Sequence, residues 1–180
     1  MSIVKERPVD IFFDSVERMN RAKETGALVN DEFSKILILG SMPSTISRET
    51  NFYYAHKTNR FWTILSILFN TKLKTNTDKE NFLLNNNIAI FDMIEECDIT
   101  GSSDSSVKNI KVNNLIPIIK NSNIKYIFCT GKLSYNLYQK YYKDLNLECF
   151  YLPSPSSANA TYSLERLLNK YKIIKEKLDN

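Results

Sequence analysis

Two neighbouring segments of the chain combine groups that could bind a flat, polar ligand. Residues 36–39 are apolar and run directly into Gly40-Ser41-Met42-Pro43; the aromatic segment Phe52-Tyr53-Tyr54-Ala55-His56 follows and holds the only histidine. The amide side chain of Asn59 comes next. Aromatic rings can stack on a planar ligand, while hydroxyl, amide and imidazole groups can hydrogen-bond its edge. These residue types at this spacing predict a binding or catalytic site.

A second polar segment lies near the other end of the chain, at Pro153-Ser154-Pro155-Ser156-Ser157-Ala158-Asn159-Ala160. Serine hydroxyls and free backbone amides in such a loop can donate hydrogen bonds to phosphate oxygens. Serine and proline are also the usual residues of a surface turn. The composition of this loop therefore leaves both interpretations open.

Four short apolar runs, at residues 36–39, 88–91, 126–129 and 149–152, predict the strands that position these segments. Runs with almost no polar residue are typical of strands buried on both faces. Helical patterns lie between them, so the alternation predicts a three-layer α/β/α domain around a four-stranded parallel sheet. The strand ends would meet at one edge, where we expect the site: they are Gly40, Asp92, Thr130-Gly131 and Pro153.

The spacing of apolar residues predicts the helices. One helix begins at Arg60, one follows Gly131 and one forms the tail. Their apolar positions are Phe61, Ile64, Leu65 and Leu68; Leu133, Leu137 and Tyr141; and Leu164, Leu167, Leu168 and Tyr171. Another helix is expected over residues 10–22, and residues 70–87 leave room for a short one.

Length and composition indicate a single domain spanning residues 1–180, with residues 1–30 as an N-terminal helical extension. The chain has 180 residues, 43% of them hydrophobic, and a formal net charge of +4. This mild positive charge permits a polyanionic partner, although a solvated lysine-rich surface also explains it.

The cysteines and the lack of long apolar runs indicate the cellular compartment in which we expect the protein. The chain has three cysteines, Cys97, Cys129 and Cys149, and no two of them form a CxxC motif. Because the number is odd and this motif is lacking, neither a disulfide framework nor a zinc site is expected. No run resembles a signal peptide or approaches membrane-spanning length. We expect a cytoplasmic monomer without membrane contact.

Taken together, these motifs resemble the hypoxanthine-DNA (deoxyinosine) glycosylase family of the uracil-DNA glycosylase superfamily. The resemblance runs in order from about Lys35 to about Leu178. It rests on Gly40-Ser41-x-Pro43, Tyr53-Tyr54-Ala55-His56, Asn59-x-Phe61-Trp62, residues 88–92, Gly101-Ser102-x-Asp104 and Leu152-Pro153-Ser154-x-Ser156-x-Ala158-Asn159-Ala160. It implies a uracil-DNA glycosylase-like fold, with the DNA groove at the carboxyl edge of the strands.

The resemblance also implies a function. It indicates a monofunctional enzyme that hydrolyses the N-glycosidic bond of a deaminated base, hypoxanthine in deoxyinosine, in base excision repair. The partner would be DNA that contains a damaged base, and in a bacterium the enzyme would be associated with the nucleoid. Neither a metal nor an organic cofactor is required. Such an enzyme must flip the nucleotide out of the stack, hydrogen-bond the departing base and position a water.

The resemblance assigns the base pocket to the first two segments. It implies that Tyr54, with Tyr53 next in preference, stacks on the base; the other expected contacts are Gly40, Ser41, Met42 and His56. The aromatic residues are alternatively core or lid residues. His56 is alternatively a structural hydrogen-bond partner between loop and helix, the interpretation we favour for it.

Asn59 is the expected catalytic residue. Met42 occupies the position at which many superfamily members carry the Asn or Asp that activates water, and the resemblance then implies this role for Asn59. An amide cannot act as a general base, but it can orient water or hold a purine edge. Asparagine is also a favoured helix N-cap, so capping is the alternative role.

The loop at residues 153–160 resembles the segment that grips the DNA backbone and inserts a wedge into the gap left by the flipped base. The residues expected to contact phosphate or to form the wedge are Pro43, Ser154, Pro155, Ser156, Ser157 and Asn159.

Three other functions stay open. Met42 and Leu152 stand where uracil-specific relatives carry polar catalytic residues, which argues against efficient uracil excision but not against weak or mismatch-limited activity. A bifunctional lyase would need Lys57 or Lys132 with a lowered pKa in a desolvated pocket. A non-catalytic DNA-binding domain on the same fold would bind DNA and release no base.

Overall fold

The computed structural model describes residues 31–99 and 104–180, so the helix expected over residues 10–22 lies outside them. In chain order the strands are β1 (Ile36–Gly40), β2 (Ile88–Asp92), β3 (Ile94–Asp98), β4 (Lys108–Val112), β5 (Tyr126–Thr130) and β6 (Glu148–Leu152). The helices are α1 (Thr45–Thr50), α2 (Phe61–Leu68), α3 (Asn76–Asn85), α4 (Ile116–Lys120), α5 (Lys132–Tyr141) and α6 (Leu164–Asp179).

The central sheet has four parallel strands in the order β2-β1-β5-β6. Ile36 at the start of β1 pairs with Ile88 of β2 on one side and with Tyr126 of β5 on the other. All five residues of β1 and of β2 are buried, which explains their unbroken apolar sequences. The four strands expected from the sequence are confirmed.

Successive residues of each strand point to opposite faces of the sheet, and each face carries its own core. Ile36 and Ile38 of β1 pack into the same core as α2, α3 and α6. Leu37 and Leu39 pack into the other, with α4 and α5. The result is the expected three-layer α/β/α arrangement.

Three local expectations need correction. Strand β6 lies at the edge of the sheet and is not buried on both faces, since Tyr151 is 40% exposed. On α5 the buried positions are Ser134, Leu137 and Tyr138, whereas Tyr141 is 46% exposed. Helix α2 begins at Phe61, one residue later than expected.

Two elements are not visible as apolar patterns in the sequence. Helix α1 lies in the polar segment between Pro43 and Phe52, for which the sequence predicted no helix, and the hydroxyl of its N-cap Ser44 accepts the Ser47 N–H at 3.1 Å. Strands β3 and β4 form an antiparallel hairpin held partly by charges, with Lys111 Nζ 3.1 Å from Glu95 Oε1. Neither element has a continuous apolar run.

Candidate active site

A cavity of about 850 Å³ opens at the carboxyl edge of the central sheet. The ends of β1, β2 and β5 reach it, and so do α1, the aromatic segment and the loop after β6. Its described lining includes every residue that the sequence assigned to the catalytic, base-binding or phosphate and wedge groups: Gly40, Ser41, Met42, Pro43, Tyr53, Tyr54, His56, Asn59, Ser154, Pro155, Ser156, Ser157 and Asn159. The topology therefore brings the two polar segments together, although they are about a hundred residues apart.

The floor of the cavity is formed by Gly40, Asp92 and Thr130, which are all buried. A Cβ atom at Gly40 would lie 2.4 Å from Asp92 Oδ1, so a larger residue at position 40 requires the carboxyl group to move. Burial raises the pKa of the Asp92 carboxyl to about 7. In the sequence Asp92 was recognised only as a strand end, and an acidic residue closing an apolar run was the available signal.

Tyr54 forms an aromatic wall of the cavity. Its ring stacks on Phe61, with centroids 3.9 Å apart and planes 18° from parallel. Its backbone is left-handed, at φ 52°, a conformation that a bulky aromatic residue rarely adopts. Strained backbone of this kind concentrates at functional sites.

The hydroxyl group of Tyr54 is fixed at the floor. It lies 2.8 Å from Thr130 Oγ1, and Thr130 in turn donates to the Leu39 carbonyl at 3.3 Å. With its own proton committed to that carbonyl, the Thr130 hydroxyl accepts from Tyr54. Burial and the nearby Asp92 raise the pKa of Tyr54, so the phenol keeps its proton. Tyr53 is held differently, its backbone carbonyl accepting from Trp62 Nε1 at 3.0 Å.

Asn59 contributes to the start of α2 and also lines the cavity. Its Oδ1 accepts the Phe61 N–H at 2.9 Å and so caps the start of α2 from the position before Arg60, whose own side chain makes no cap hydrogen bond. The half-buried side chain also lines the cavity. Because the carbonyl oxygen is engaged by the helix, the NH₂ end is the part of the amide best placed to act on a ligand.

His56 lies at the exposed rim. Its Nδ1 is 3.2 Å from the Thr58 backbone nitrogen and 2.8 Å from Thr58 Oγ1. Thr58 Oγ1 is also 2.9 Å from Ser157 Oγ. The histidine thus bonds within its own loop, and Thr58 links that loop to the serine-rich one.

The loop at residues 153–160 is folded by its own polar groups. Asn159 Nδ2 donates to the Ser154 carbonyl at 3.0 Å. The Ser154 hydroxyl accepts the Ser156 N–H at 3.3 Å, and the Ser156 hydroxyl accepts the Ala158 N–H at 3.2 Å. Ser154, Ser156 and Asn159 therefore shape the loop in addition to lining the cavity.

Arg60 fastens this loop to α2 and was not singled out from the sequence. Its guanidinium donates to the carbonyls of Pro155 at 3.2 Å, Ser156 at 2.6 Å and Asn159 at 3.1 Å, and also to that of Tyr162. A planar cation with five N–H donors suits four acceptors arranged around it. Its position beside the Asn59 motif was the only signal in the sequence.

The first segment is tied to the β3–β4 side of the molecule. Ser41 Oγ donates to Asp104 Oδ1 at 3.4 Å, and Met42 Sδ lies 3.9 Å from Cys97 Sγ.

The two lysines considered for a lyase, Lys57 and Lys132, do not line the cavity. No other lysine is among the described residues that line it.

Two further findings concern residues 31–99 and 104–180. Within these ranges no group of three or more His, Cys, Asp or Glu side chains is arranged to hold a metal ion. None of the described helices combines the length and apolar character needed to cross a membrane.

Comparison with known proteins places this geometry in a family. A model of the uracil DNA glycosylase superfamily matches residues 28–176. The hypoxanthine DNA glycosylase of Methanosarcina barkeri is 30% identical over 135 residues, which cover 73% of this chain and 84% of the relative. The hypoxanthine DNA glycosylase of Methanosarcina acetivorans is 28% identical over 147 residues, covering 77% and 89%.

A solved structure agrees with the fold. The solution NMR structure of a candidate uracil DNA glycosylase from Methanosarcina acetivorans has a TM-score of 0.72 and 26% identity, and the match covers 86% of this chain and 96% of that one. The chain therefore belongs to the hypoxanthine DNA glycosylase family of the uracil DNA glycosylase superfamily. It is a DNA glycosylase, a hydrolase of N-glycosyl bonds.

Proposed function

We propose that this enzyme releases hypoxanthine from deoxyinosine in DNA, as an early step of base excision repair. The observation that carries the proposal is the cavity itself, with the Tyr54 ring as one wall, a polar floor and the Asn59 amide in its lining. The names of the two Methanosarcina relatives support hypoxanthine as the base. At about 850 Å³ the cavity is large enough for a flipped purine.

The reaction is a hydrolysis. The oxygen of a water molecule bonds to C1′ of the sugar while the bond from C1′ to N9 of the base breaks. The electron pair of that bond leaves with the base, which takes up a proton, and the attacking water loses one. The products are free hypoxanthine and an abasic site.

The side chains divide this work between base and sugar. Tyr54, already stacked on Phe61, offers its ring to the base; such stacking is worth about 1–3 kcal/mol. Asn59 cannot remove a proton, but its NH₂ group can orient the water or the purine edge. We propose that Tyr53, Gly40, Ser41, Met42 and His56 complete the pocket.

The DNA backbone would lie across the mouth of the cavity. Exposed Ser157 and the backbone amides of the loop at residues 153–160 can donate to phosphates, and half-buried Pro43 adds a rigid contact. Pro155 lines the cavity but is buried, so we propose that it shapes the loop. A net charge of +4 favours binding that weakens as salt rises. The Arg60 contacts with four carbonyls keep this loop in place for the phosphates.

The test is base release from otherwise identical duplexes that carry one deoxyinosine, deoxyuridine or deoxyxanthosine. Abasic sites are revealed by alkaline cleavage, and duplex binding is measured alongside. We expect release from deoxyinosine, abolished by Asn59→Ala with binding nearly unchanged. Release from deoxyuridine alone would keep the enzyme class and replace the substrate. Binding without release from any duplex would support the non-catalytic alternative.

Capping by Asn59 requires a matched control. Asn59→Asp keeps an oxygen that can accept the Phe61 N–H but lacks the NH₂ group, so it separates the helix cap from the chemistry. If Asn59→Asp melts like the wild type and releases base poorly, the NH₂ group is needed. A normal rate in Asn59→Asp would show that the NH₂ group is dispensable, because a carboxylate oxygen can both accept the Phe61 N–H and activate water.

A further inference from the structure

Hydrolysis needs a group that accepts a proton from the attacking water, and neither Asn59 nor the aromatic segment supplies one. The amide of Asn59 is not basic. His56 Nδ1 accepts the Thr58 N–H at 3.2 Å, so the neutral ring carries its proton on Nε2 and has no free acceptor. Burial raises the pKa values of Tyr53 and Tyr54, so both phenols keep their protons.

Asp104 is a carboxyl group at the mouth of the cavity. Among the described lining residues, the carboxyl groups are those of Asp92 and Asp104. Asp92 is 5% exposed and belongs to the floor, whereas Asp104 is exposed. A flipped base enters the cavity, while its sugar stays at the mouth as part of the DNA strand. A water that attacks the sugar must approach it there, at the level of Asp104.

The first segment positions this carboxyl group. Ser41 directly follows Gly40 of the floor, and its Oγ donates to Asp104 Oδ1 at 3.4 Å. Asp104 also begins a short 3₁₀ turn, in which its backbone carbonyl accepts the Val107 N–H at 3.4 Å. Within residues 31–99 and 104–180 no second donor contacts the carboxyl group, so Oδ2 is available to a water.

We propose that the Asp104 carboxylate accepts a proton from the water that attacks C1′. The water oxygen bonds to C1′ while the bond from C1′ to N9 breaks, and the electron pair of that bond leaves with the base. One proton of the water passes to Asp104, which later returns it to solvent, and the base takes up a proton from solvent. Asn59 orients the water or the purine edge, and Asp104 supplies the basicity that an amide lacks. This inference rests on the proposed function.

The role requires an ionised carboxylate. Burial raises the pKa of Asp104, and the hydrogen bond from Ser41 lowers it. The charged or titratable groups around the cavity and on the adjoining β3–β4 hairpin are Arg48, Tyr53, Tyr54, His56, Asp92, Glu95, Glu96, Asp98, Lys108 and Lys111.

None of these groups forms an ion pair with Asp104, and the Lys111 ammonium is engaged by Glu95 and Glu96. Burial is therefore the main influence on this carboxyl group, and its ionisation lies above the ordinary range of an aspartate. Base release should fall as pH falls through that ionisation, because the protonated form cannot accept a proton.

The experiment measures single-turnover release of hypoxanthine from a deoxyinosine duplex between about pH 4.5 and about pH 8.5, with an enzyme-free duplex as the blank. The proteins are the wild type, Asp104→Asn, Asp104→Glu and, as a control, Asp98→Asn. Asp98 is an exposed carboxylate on β3 that accepts one side-chain hydrogen bond, from Asn109 Nδ2 at 2.6 Å. It is not among the described residues that line the cavity.

The substitutions separate chemistry from loop structure. Asp104→Asn keeps an oxygen for the Ser41 hydroxyl but is not basic, so it should melt and bind an undamaged duplex like the wild type. We expect its rate at neutral pH to fall at least about 100-fold. Asp104→Glu restores a carboxylate and should recover at least about tenfold over Asp104→Asn.

The pH profiles identify the group that titrates. Wild-type and Asp98→Asn rates should decline about tenfold per pH unit on the acid side of the Asp104 ionisation, and Asp104→Asn should lose this decline. Asp92, whose pKa is about 7, is present in all four proteins, so its ionisation contributes equally to every profile. A merely structural role of Asp104 would lower the rate and leave the acid decline in place.

Failure of this inference is distinguishable from failure of the proposed function. A wild type that releases hypoxanthine, together with an equally fast Asp104→Asn, would refute the role of Asp104 alone. So would a slow Asp104→Asn that keeps the acid decline, or an Asp104→Glu no faster than Asp104→Asn. A wild type that releases no hypoxanthine would contradict the proposed function itself.

Discussion

Replacement of Arg60 tests how the fold holds the loop at residues 153–160. The guanidinium joins α2 to four backbone carbonyls that lie 95 to 102 residues further along the chain. Arg60→Ala leaves all four acceptors without this donor. Arg60→Lys keeps the positive charge, but the compact ammonium group of lysine cannot reach all of the carbonyls that surround the planar guanidinium group.

The expected loss of stability follows from the number of hydrogen bonds that Arg60 makes and from how exposed they are to water. A hydrogen bond to a charged group contributes about 1.5–3 kcal/mol, and contributions within one network are not additive. Arg60 is half-buried, so the loop carbonyls can turn to water once the side chain is gone. We expect Arg60→Ala to lower the free energy of unfolding by about 2–4 kcal/mol, and Arg60→Lys by about half as much.

The assay combines urea unfolding with hydrogen exchange and DNA binding. Loop amides such as that of Asn159, which donates to the Ser156 carbonyl at 3.0 Å, should lose protection before the central strands do. The affinity for an undamaged duplex should fall in the same variants that lose protection of the loop amides. Arg166→Ala is the control, because exposed Arg166 gives its side chain to one carbonyl, that of Thr161 at 2.6 Å. We expect a loss below about 1 kcal/mol there.

The reasoning is wrong if Arg60→Lys matches the wild type in stability, exchange and binding. It is also wrong if Arg60→Ala and Arg166→Ala lose the same amount. Either result would mean that the loop is ordered by its own turns and that the guanidinium contacts add little.

Substitutions at three other positions address the cavity. The Asp92 carboxyl has a folded-state pKa of about 7, above that of an unfolded chain, so its favourable contribution exists at low pH and is lost as pH rises through about 7. Asp92→Asn should therefore stabilise the protein at pH 8 by up to about 4 kcal/mol and add nothing near pH 3, as measured by urea unfolding at both pH values; equal effects would contradict the burial argument. Gly40→Ala should displace the Asp92 carboxyl, cost about 1–3 kcal/mol in thermal unfolding and slow base release at least about tenfold; a normal rate would show that the floor yields easily. Tyr54→Phe removes the bond to Thr130 and should cost about 1 kcal/mol of stability, whereas Tyr54→Ala should also weaken binding to a lesion duplex by about 1–3 kcal/mol; equal binding by both variants would contradict stacking.

The sheet could be predicted because its strands are simple. Three of them are almost wholly buried, so their sequences are uniformly apolar and stand out against polar surroundings. The carboxyl ends of parallel strands share an edge, so the meeting of the Gly40 and Pro153 segments followed from topology alone. The helices α2 and α6 were visible for a similar reason, since each buries one face.

What escaped prediction depends on contacts between distant residues. Helix α1 has six residues and a single buried side chain, that of Ser47, so no apolar period marks it. The bonds of Arg60 reach across about a hundred positions, and residue type alone does not reveal them. The burial of Asp92 likewise depends on which loops cover the end of β2. Asn59 was foreseen with two roles, and the structure shows the capping contact at a position that also lines the cavity.

The central claim is that the cavity takes in hypoxanthine from DNA and that Asn59 acts on it there. The most direct measurement is mass spectrometric detection of the free base after the wild type and Asn59→Ala meet a duplex with one deoxyinosine under single-turnover conditions. The account predicts free hypoxanthine and an equal amount of abasic sites with the wild type, and neither with Asn59→Ala. Equal release by both proteins would contradict the assigned role of Asn59, and no release by the wild type would contradict the assigned substrate.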